Sequence, residues 1–167
     1  AEHRLSLDAR QVMYLFVYAG VLAAIVQGGL IGKLVDRFGE RRMILSGTVV
    51  LVPGYLALSA AGSLLSFLLS LALLALGAGL TGPSLSSLVS RLSSEDEQGG
   101  ILGVYQSLAS LARVLGPFWG VYSMRGLGEA APYFTAAAAA LAAAVIAWTV
   151  LRRGGVTAGA VTVTPPG

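Results

Sequence analysis

The sequence predicts an all-α membrane protein with five transmembrane helices, and three observations support this fold class. Of its 167 residues, 56% are hydrophobic and only 11% are charged, whereas soluble domains carry roughly 25% charged residues. Its mean hydropathy is +0.79. The few charges lie between long apolar intervals, and a bilayer needs about 20 apolar residues for each helical crossing. We therefore expect a membrane-embedded helical bundle and no soluble domain.

The first three predicted spans follow the uncharged intervals in chain order. A polar, extracytoplasmic lead covers residues 1-11, and the first span runs over about 12-35, which exceeds the roughly 7–15 apolar residues of a signal-peptide core. The uncharged interval 43–90 is too long for one crossing, because a helix rises about 1.5 Å per residue and the hydrocarbon core is about 30 Å thick. It must hold two spans, at about 43-61 and 64-90, with a turn at Ala61-Gly62-Ser63.

The last two predicted spans differ in composition. One runs over about 99-124 and contains a single charge, Arg113, while the other runs over about 130-151 and is mostly alanine, which suits close helix packing. Residues 152-167 are rich in glycine, threonine and proline without periodicity, so we expect a disordered cytoplasmic tail. The transmembrane bundle would cover residues 12-151.

The distribution of positive charge gives the predicted bundle an orientation. Lysine and arginine are enriched in the cytoplasmic loops of membrane proteins. One side of the five spans carries Lys33, Arg37, Arg41, Arg42, Arg91, Arg152 and Arg153, and the other side carries Arg4, Arg10 and Arg125. We therefore expect a multi-pass protein whose C-terminus is cytoplasmic.

Composition also limits the partners and cofactors. The sequence pI is about 9.6, but the positive residues adjoin the ends of apolar spans, so we expect membrane lipid and no nucleic acid as a partner. Cysteine is absent, which excludes a disulfide framework and thiolate metal sites. We expect neither a metal nor a cofactor.

Residues 32–42 form the most specific motif, a charged segment with the spacing G-x-x-x-D-R-x-G-x-R-R. Gly32 and Gly39 would permit close approach or a positive φ, and Asp36 could accept hydrogen bonds from free N–H groups at a helix start. The cationic side chains would meet anionic lipid headgroups. A positively charged segment that only fixed the orientation of the preceding span would require neither an aspartate nor two glycines at fixed offsets. We therefore favour a tight connection between two helices.

A second set of candidate residues lies on one face of the fourth predicted span. Gln106, Ser110 and Arg113 recur at steps of four and three, so they share a helical face. Placing an arginine side chain at the centre of a bilayer has a free-energy cost of about 3 to more than 10 kcal/mol, so Arg113 must face protein or water. A functional role and a structural pairing with a carbonyl or carboxylate both fit it. Gln106 and Gln27 fit either hydrogen bonding between helices or cavity lining.

The charged segment resembles the signature loop of the major facilitator superfamily. The matching positions are Gly32, Asp36, Arg37, Gly39, Arg41 and Arg42. The resemblance implies that the segment joins the second and third helices of a six-helix half. It also implies that Asp36 and Arg37 act as a conformational latch between neighbouring helices during alternating access.

The fourth span contains a segment that is similar to the G-P-x-x-G helix-bending motif of antiporters in that superfamily. Gly116, Pro117 and Gly120 match, while Ala112 and Val121 stand where the fuller motif has glycine. In the family this motif lies in the fifth helix of a half. The resemblance therefore implies that the five spans are helices two to six of a major facilitator bundle, and that a first helix precedes this chain.

Residues 95–108 resemble the C-terminal half of tetracycline-resistance-type drug efflux members. Leu73 stands where an N-terminal half usually has an intramembrane arginine. The resemblance implies a secondary transporter in the cell (inner) membrane that exports small amphipathic compounds or drugs, with proton coupling. No Asp or Glu lies inside the five predicted spans, so the coupling carboxylate would belong to the preceding part of the transporter.

Two other functions fit fewer residues. The chain could be a non-transporting membrane scaffold or a truncated relict of a transporter. Either would keep the membrane helices but form no transport pathway. An intramembrane serine protease is suggested by Gly82-Pro83-Ser84 inside a span, but a serine nucleophile needs a general base. The only histidine, His3, lies outside every predicted span. We therefore expect the chain not to be an enzyme.

Overall fold

A computed structural model describes residues 8–26, 28 and 31–153. The predicted site residue Gln27, most of the lead and the tail beyond Arg153 lie outside the described residues. The helices are α1 (Ala9–Ile25), α2 (Ile31–Phe38), α3 (Glu40–Ser59), α4 (Leu64–Leu92), α5 (Gln98–Leu127) and α6 (Ala131–Arg153). Within the described ranges there is no β-strand. The prediction of an all-α protein is confirmed.

Three of these helices are long and apolar enough to cross a bilayer. They are α3, α4 and the Ala131–Val150 part of α6. The apolar part of α1 is shorter, Met13–Ile25. Helix α5 has 30 residues, but its glycines, serines and one central arginine lower its hydropathy. The three helices agree with the prediction of a helical membrane protein, and the count of five crossings stays a prediction.

Helices α3 and α4 form an antiparallel hairpin whose turn contains Ala61 and Gly62. Ser63 is the N-cap of α4, and its hydroxyl accepts a hydrogen bond from the Ser66 N–H at 3.2 Å. The Ser66 hydroxyl in return accepts the Ser63 N–H at 3.1 Å. This reciprocal pair satisfies two N–H groups that a helix start leaves without partners, so the sequence itself fixes where α4 begins.

The two arms of the hairpin touch through glycine. A Cβ atom added to Gly77 would lie 2.9 Å from the Gly47 carbonyl oxygen, and one added to Gly47 would lie 2.7 Å from the Gly77 carbonyl oxygen. Small residues allow helix backbones to approach this closely in a membrane, where packing replaces the hydrophobic driving force. Gly47 and Gly77 therefore lie at a close contact of the α3–α4 pair, where a side chain on either residue would meet the other's backbone.

The remaining helices pack around this hairpin. Helix α6 contacts α3, and its Ala137, Ala140 and Ala144 are buried at helical spacing. Helix α1 contacts α4, and Val26, which follows the end of α1, lies against Gly79 of α4. Helix α5 contacts α4 and α6 more lightly, and most of its surface is exposed. The described helices therefore form an open bundle with α5 at its edge.

Candidate functional site

The signature segment is more helical than its glycine spacing suggests. Residues 32–38 lie within α2, and α3 begins at Glu40, so Gly39 alone separates the two helices. Its φ of +80° is a conformation that glycine adopts readily, and its N–H donates to the Val35 carbonyl at 2.8 Å. The expectation of a positive φ is met at Gly39.

Gly32 does not have the role expected of it. It lies inside α2, and a Cβ atom added there would meet no atom within 4 Å, so neither a positive φ nor a close contact requires glycine among the described residues. The reason is the pattern around it. Ile31, Leu34, Val35 and Phe38 follow the i, i+3, i+4, i+7 spacing of one helical face, which favours a continuous helix over a turn.

The polar residues of α2 project away from the bundle. Asp36 and Arg37 are both exposed, and the Arg37 guanidinium lies 5.7 Å from the centre of the Phe38 ring. The structure records no hydrogen bond or ion pair between Asp36 and another described residue. Arg42 is exposed and Arg41 is half-buried at the start of α3. The exposed pair, Asp36 and Arg37, is thus presented to whatever lies beyond the described helices.

Glu40 makes the contact between helices that was expected of Asp36. Its Oε1 lies 2.8 Å from Arg91 Nε and accepts a hydrogen bond from the Ser87 hydroxyl at 3.1 Å. The Glu40 side chain is only 12% exposed, against 69% for Arg91. This cluster of Glu40, Ser87 and Arg91 joins the first residue of α3 to the last turns of α4.

Sequence reasoning overlooked Glu40, although a signal was present. Glu40 follows a helix-breaking glycine, and a negative charge in the first turn of a helix is stabilised by the helix dipole. Arg91 is the only charged residue in α4. In an antiparallel hairpin the start of the first helix and the end of the second lie on the same side. The two opposite charges were therefore candidates for pairing.

The helix-bending residues lie within an unbroken helix. Pro117 is inside α5, and Cβ atoms added to Gly116 or Gly120 would meet no atom within 4 Å. No described helix approaches either glycine closely. The close packing expected at this motif is not made by the described residues.

The candidate cavity residues share a face of α5. Gln106, Ser110 and Arg113 are all exposed, and none of the three side chains forms a recorded hydrogen bond or ion pair with a described residue. A neighbouring helix covers a different face, where Ser123 is buried and Trp119 Nε1 donates to Thr135 Oγ1 of α6 at 3.1 Å. The three polar residues are neighbours because they share one face of α5, and no recorded hydrogen bond or ion pair joins them to another described helix.

An apolar cavity of about 400 Å³ lies elsewhere, between α3, α4 and α6. Aliphatic side chains line it, with Thr48 and Thr81 as the polar members. Both hydroxyls donate to carbonyls of their own helices, Thr48 to Ile44 at 2.8 Å and Thr81 to Gly77 at 2.8 Å. The cavity therefore offers an apolar surface and no free charge.

The residues suggested for other chemistries are not assembled into sites. The Ser84 hydroxyl is buried and has no hydrogen-bond partner among the described residues, and His3 lies outside them. No group of three His, Cys, Asp or Glu side chains that could hold a metal ion occurs in the described ranges. Ser84 therefore has no general base among the described side chains.

Comparison with known proteins gives one family. The chain matches the sequence model of the Major Facilitator Superfamily over residues 2–164. It is 31% identical over 117 residues to the mouse major facilitator superfamily domain-containing protein 10, covering 70% of this chain and 25% of that protein. It is 30% identical over 117 residues to the class C tetracycline resistance protein of Escherichia coli, covering 70% of this chain and 29% of that protein.

A bacterial pump is similar to the same extent. The chain is 32% identical over 106 residues to the multi-drug resistance efflux pump PmrA homolog of Lactococcus lactis, covering 64% of this chain and 26% of that protein. The chain thus spans less than a third of the length of these relatives.

Proposed function

The chain belongs to the Major Facilitator Superfamily, and on that basis we propose that it forms part of a secondary active transporter that exports small amphipathic compounds or drugs. The proposed cargo rests on one observation, that two of the similar proteins are named for tetracycline resistance and for multi-drug efflux. The apolar helices are consistent with transport across a membrane.

The chain supplies helices two to six of the C-terminal half in this proposal. Helices α1 and α2 together form the second helix and its cytoplasmic extension, and α3 to α6 form the third to sixth. The rest of the transporter provides the first helix of this half and the other half. The chain covers less than a third of its relatives, which leaves room for both.

Export is proton-coupled in this proposal, and the coupling carboxylate lies outside the chain. Within the described parts of α4, α5 and α6 there is no aspartate or glutamate. A proton-coupling group in a transporter is usually an ionisable residue at membrane depth. The remaining helices must then supply it.

The signature segment acts as a conformational latch in alternating access. Asp36 and Arg37 are exposed on α2, where they can bind the other half of the transporter in one state and release it in the other. The ion pair between Glu40 and Arg91 holds the adjacent ends of α3 and α4 together. A fixed α3–α4 pair beside an exposed latch suits a bundle that rocks as a unit.

We place this protein in the cell (inner) membrane with its C-terminus and the signature segment in the cytoplasm. The positive-inside rule supports this orientation. The Arg152 guanidinium lies 4.3 Å from the centre of the Trp148 ring at the end of α6. Paired aromatic and cationic residues of this kind are typical of a membrane interface.

Export by the full-length protein tests this function. Cells lacking their own drug pumps should accumulate less tetracycline or ethidium when the protein is expressed, and collapsing the proton gradient should remove the difference. Asp36→Asn should lower the export rate about fivefold or more at unchanged protein abundance, because it removes the charge of the latch. Asp96→Asn, in an exposed connection, is the matched control.

The outcomes separate the alternatives. An abundant, membrane-inserted protein that exports neither of these compounds, nor any other small amphipathic dye, would indicate a scaffold or relict. Export that is unaffected by Asp36→Asn would remove the latch role while leaving the transporter in place.

A further inference from the structure

Arg113 lies near the middle of the 30-residue helix α5. Its guanidinium is exposed, and the structure records no hydrogen bond or ion pair between it and another described residue. A charged side chain at membrane depth faces the bundle interior or a water-filled cavity and has a partner there. The partner of Arg113 therefore lies beyond the described helices.

Helix α5 has three faces that differ in chemistry. The packed face contacts α6 through Trp119 and Thr135. A second face is apolar and more than half exposed, as expected of a surface in contact with acyl chains; it consists of Leu108, Leu111, Leu115 and Phe118. The third face carries Gln106, Ser110 and Arg113. This polar face is covered neither by α4 nor by α6, and it is unsuited to lipid.

The polar face offers hydrogen-bond donors and one positive charge, without a counter-ion. Among the described residues, acidic side chains occur only near helix ends or in connections: Asp8, Asp36, Glu40, Glu95, Asp96, Glu97 and Glu129. The donors of Gln106 and Arg113 are seven residues apart, which is about 10 Å along a helix. A single carboxylate from another helix would occupy Arg113 and leave the other two donors without partners.

We propose that this face of α5 binds the anionic group of an amphipathic cargo, such as a carboxylate or phenolate. The Arg113 guanidinium holds the anion through its planar pair of N–H donors. The Ser110 hydroxyl and the Gln106 amide bind acceptors further along the same molecule. The inference rests on the proposed transport function and narrows it, since it names the charge that the cargo carries.

Two dyes with the same xanthene ring system but opposite charge provide the test. Fluorescein is an anion at neutral pH, and tetramethylrhodamine methyl ester is a cation. We expect everted membrane vesicles containing the full-length transporter to take up fluorescein faster than the cationic dye. Arg113→Gln should lower fluorescein uptake about tenfold or more, because hydrogen bonds to a charged group are lost, and should leave uptake of the cation within about twofold.

Two further variants separate binding from folding. Arg113→Lys keeps the charge but loses the planar donors, so fluorescein uptake should be intermediate. Arg125→Gln is the matched control, because Arg125 is an exposed arginine on the same helix but about 120° away around its axis. It should behave like the wild type.

Each outcome bears on either the inference or the transport function. Faster uptake of the cation by the wild type, or equal loss of both dyes in Arg113→Gln, would overturn the inference and favour a carboxylate of the transporter as the partner of Arg113. Failure to transport either dye, together with no export of tetracycline or ethidium, would overturn the transport function itself.

Discussion

At the scale of single residues, the contact between Gly47 and Gly77 sets how closely two helices can lie. Each glycine faces the other's backbone, and backbone atoms cannot move aside as a flexible side chain can. A methyl group at either position must therefore separate α3 from α4. The same substitution at Gly103 of α5 would meet no described atom within 4 Å, which makes the contact testable.

Gly77→Ala should lower the thermal stability of the purified full-length protein, by about 1–3 kcal/mol if overpacking here resembles that of other cores. Thermal unfolding in detergent measures the effect. Gly103→Ala is the control, since a Cβ atom there meets nothing within 4 Å and alanine is the better helix former. Equal stability of Gly77→Ala and wild type would mean that the two helices lie further apart than described.

At the scale of helices, the junction between the start of α3 and the end of α4 depends on one carboxylate with two partners. Glu40 is nearly buried, so its interaction with Ser87 is shielded from water, whereas Arg91 is largely exposed and its attraction is screened. Exposed ion pairs contribute about 0.2–1 kcal/mol. The pair therefore stabilises the junction modestly.

A double-mutant cycle on Glu40→Gln and Arg91→Gln should give a coupling energy of about 0.5–1 kcal/mol. The measurement is thermal unfolding of the full-length protein at low and high salt, and the coupling should decrease with salt. The pair Glu40→Gln and Arg42→Gln is the control. Arg42 is also an exposed arginine near Glu40 in sequence, and the two changes should be additive. Zero coupling for Glu40 with Arg91 would refute the ion pair.

The helices show what a sequence can and cannot predict here. Apolar intervals flanked by charges predict membrane helices directly, and Gly62 and Ser63 mark the turn of the hairpin because glycine and serine favour turns. Glu40 was missed because pairing depends on which helix ends meet, and spacing within one segment does not contain that information. Gly32 was assigned a turn role from its position in a motif, while its apolar neighbours favoured a helix.

The candidate site was predictable only in part, for a similar reason. Periodicity placed Gln106, Ser110 and Arg113 on one face of α5, and the structure has all three exposed there. The face of α5 that packs against α6 contains Trp119, which donates to Thr135 of α6 and lies outside the polar periodicity of α5. The partner of Arg113 belongs to the remaining helices, so one segment of the chain cannot reveal it.

At the scale of the whole molecule, the positive-inside rule predicts on which side each connection lies. The chain contains no cysteine, so single cysteines introduced into it report accessibility cleanly once any cysteines elsewhere in the transporter are replaced. Asp96→Cys should resist a membrane-impermeant thiol reagent in intact cells and react after permeabilisation. Glu129→Cys should react in intact cells. Reversed labelling would invert the proposed orientation.

The single residue between α2 and α3 has a mechanical consequence. Because Gly39 is the only non-helical residue there, two torsion angles determine the angle between the helices, and no slack chain exists to absorb a displacement. The joint behaves as a swivel: α2 can pivot about this point, but it cannot slide along α3. A displacement of α2 along its axis, produced by a force on Asp36 and Arg37, is therefore passed directly through the Gly39 backbone to the first residue of α3.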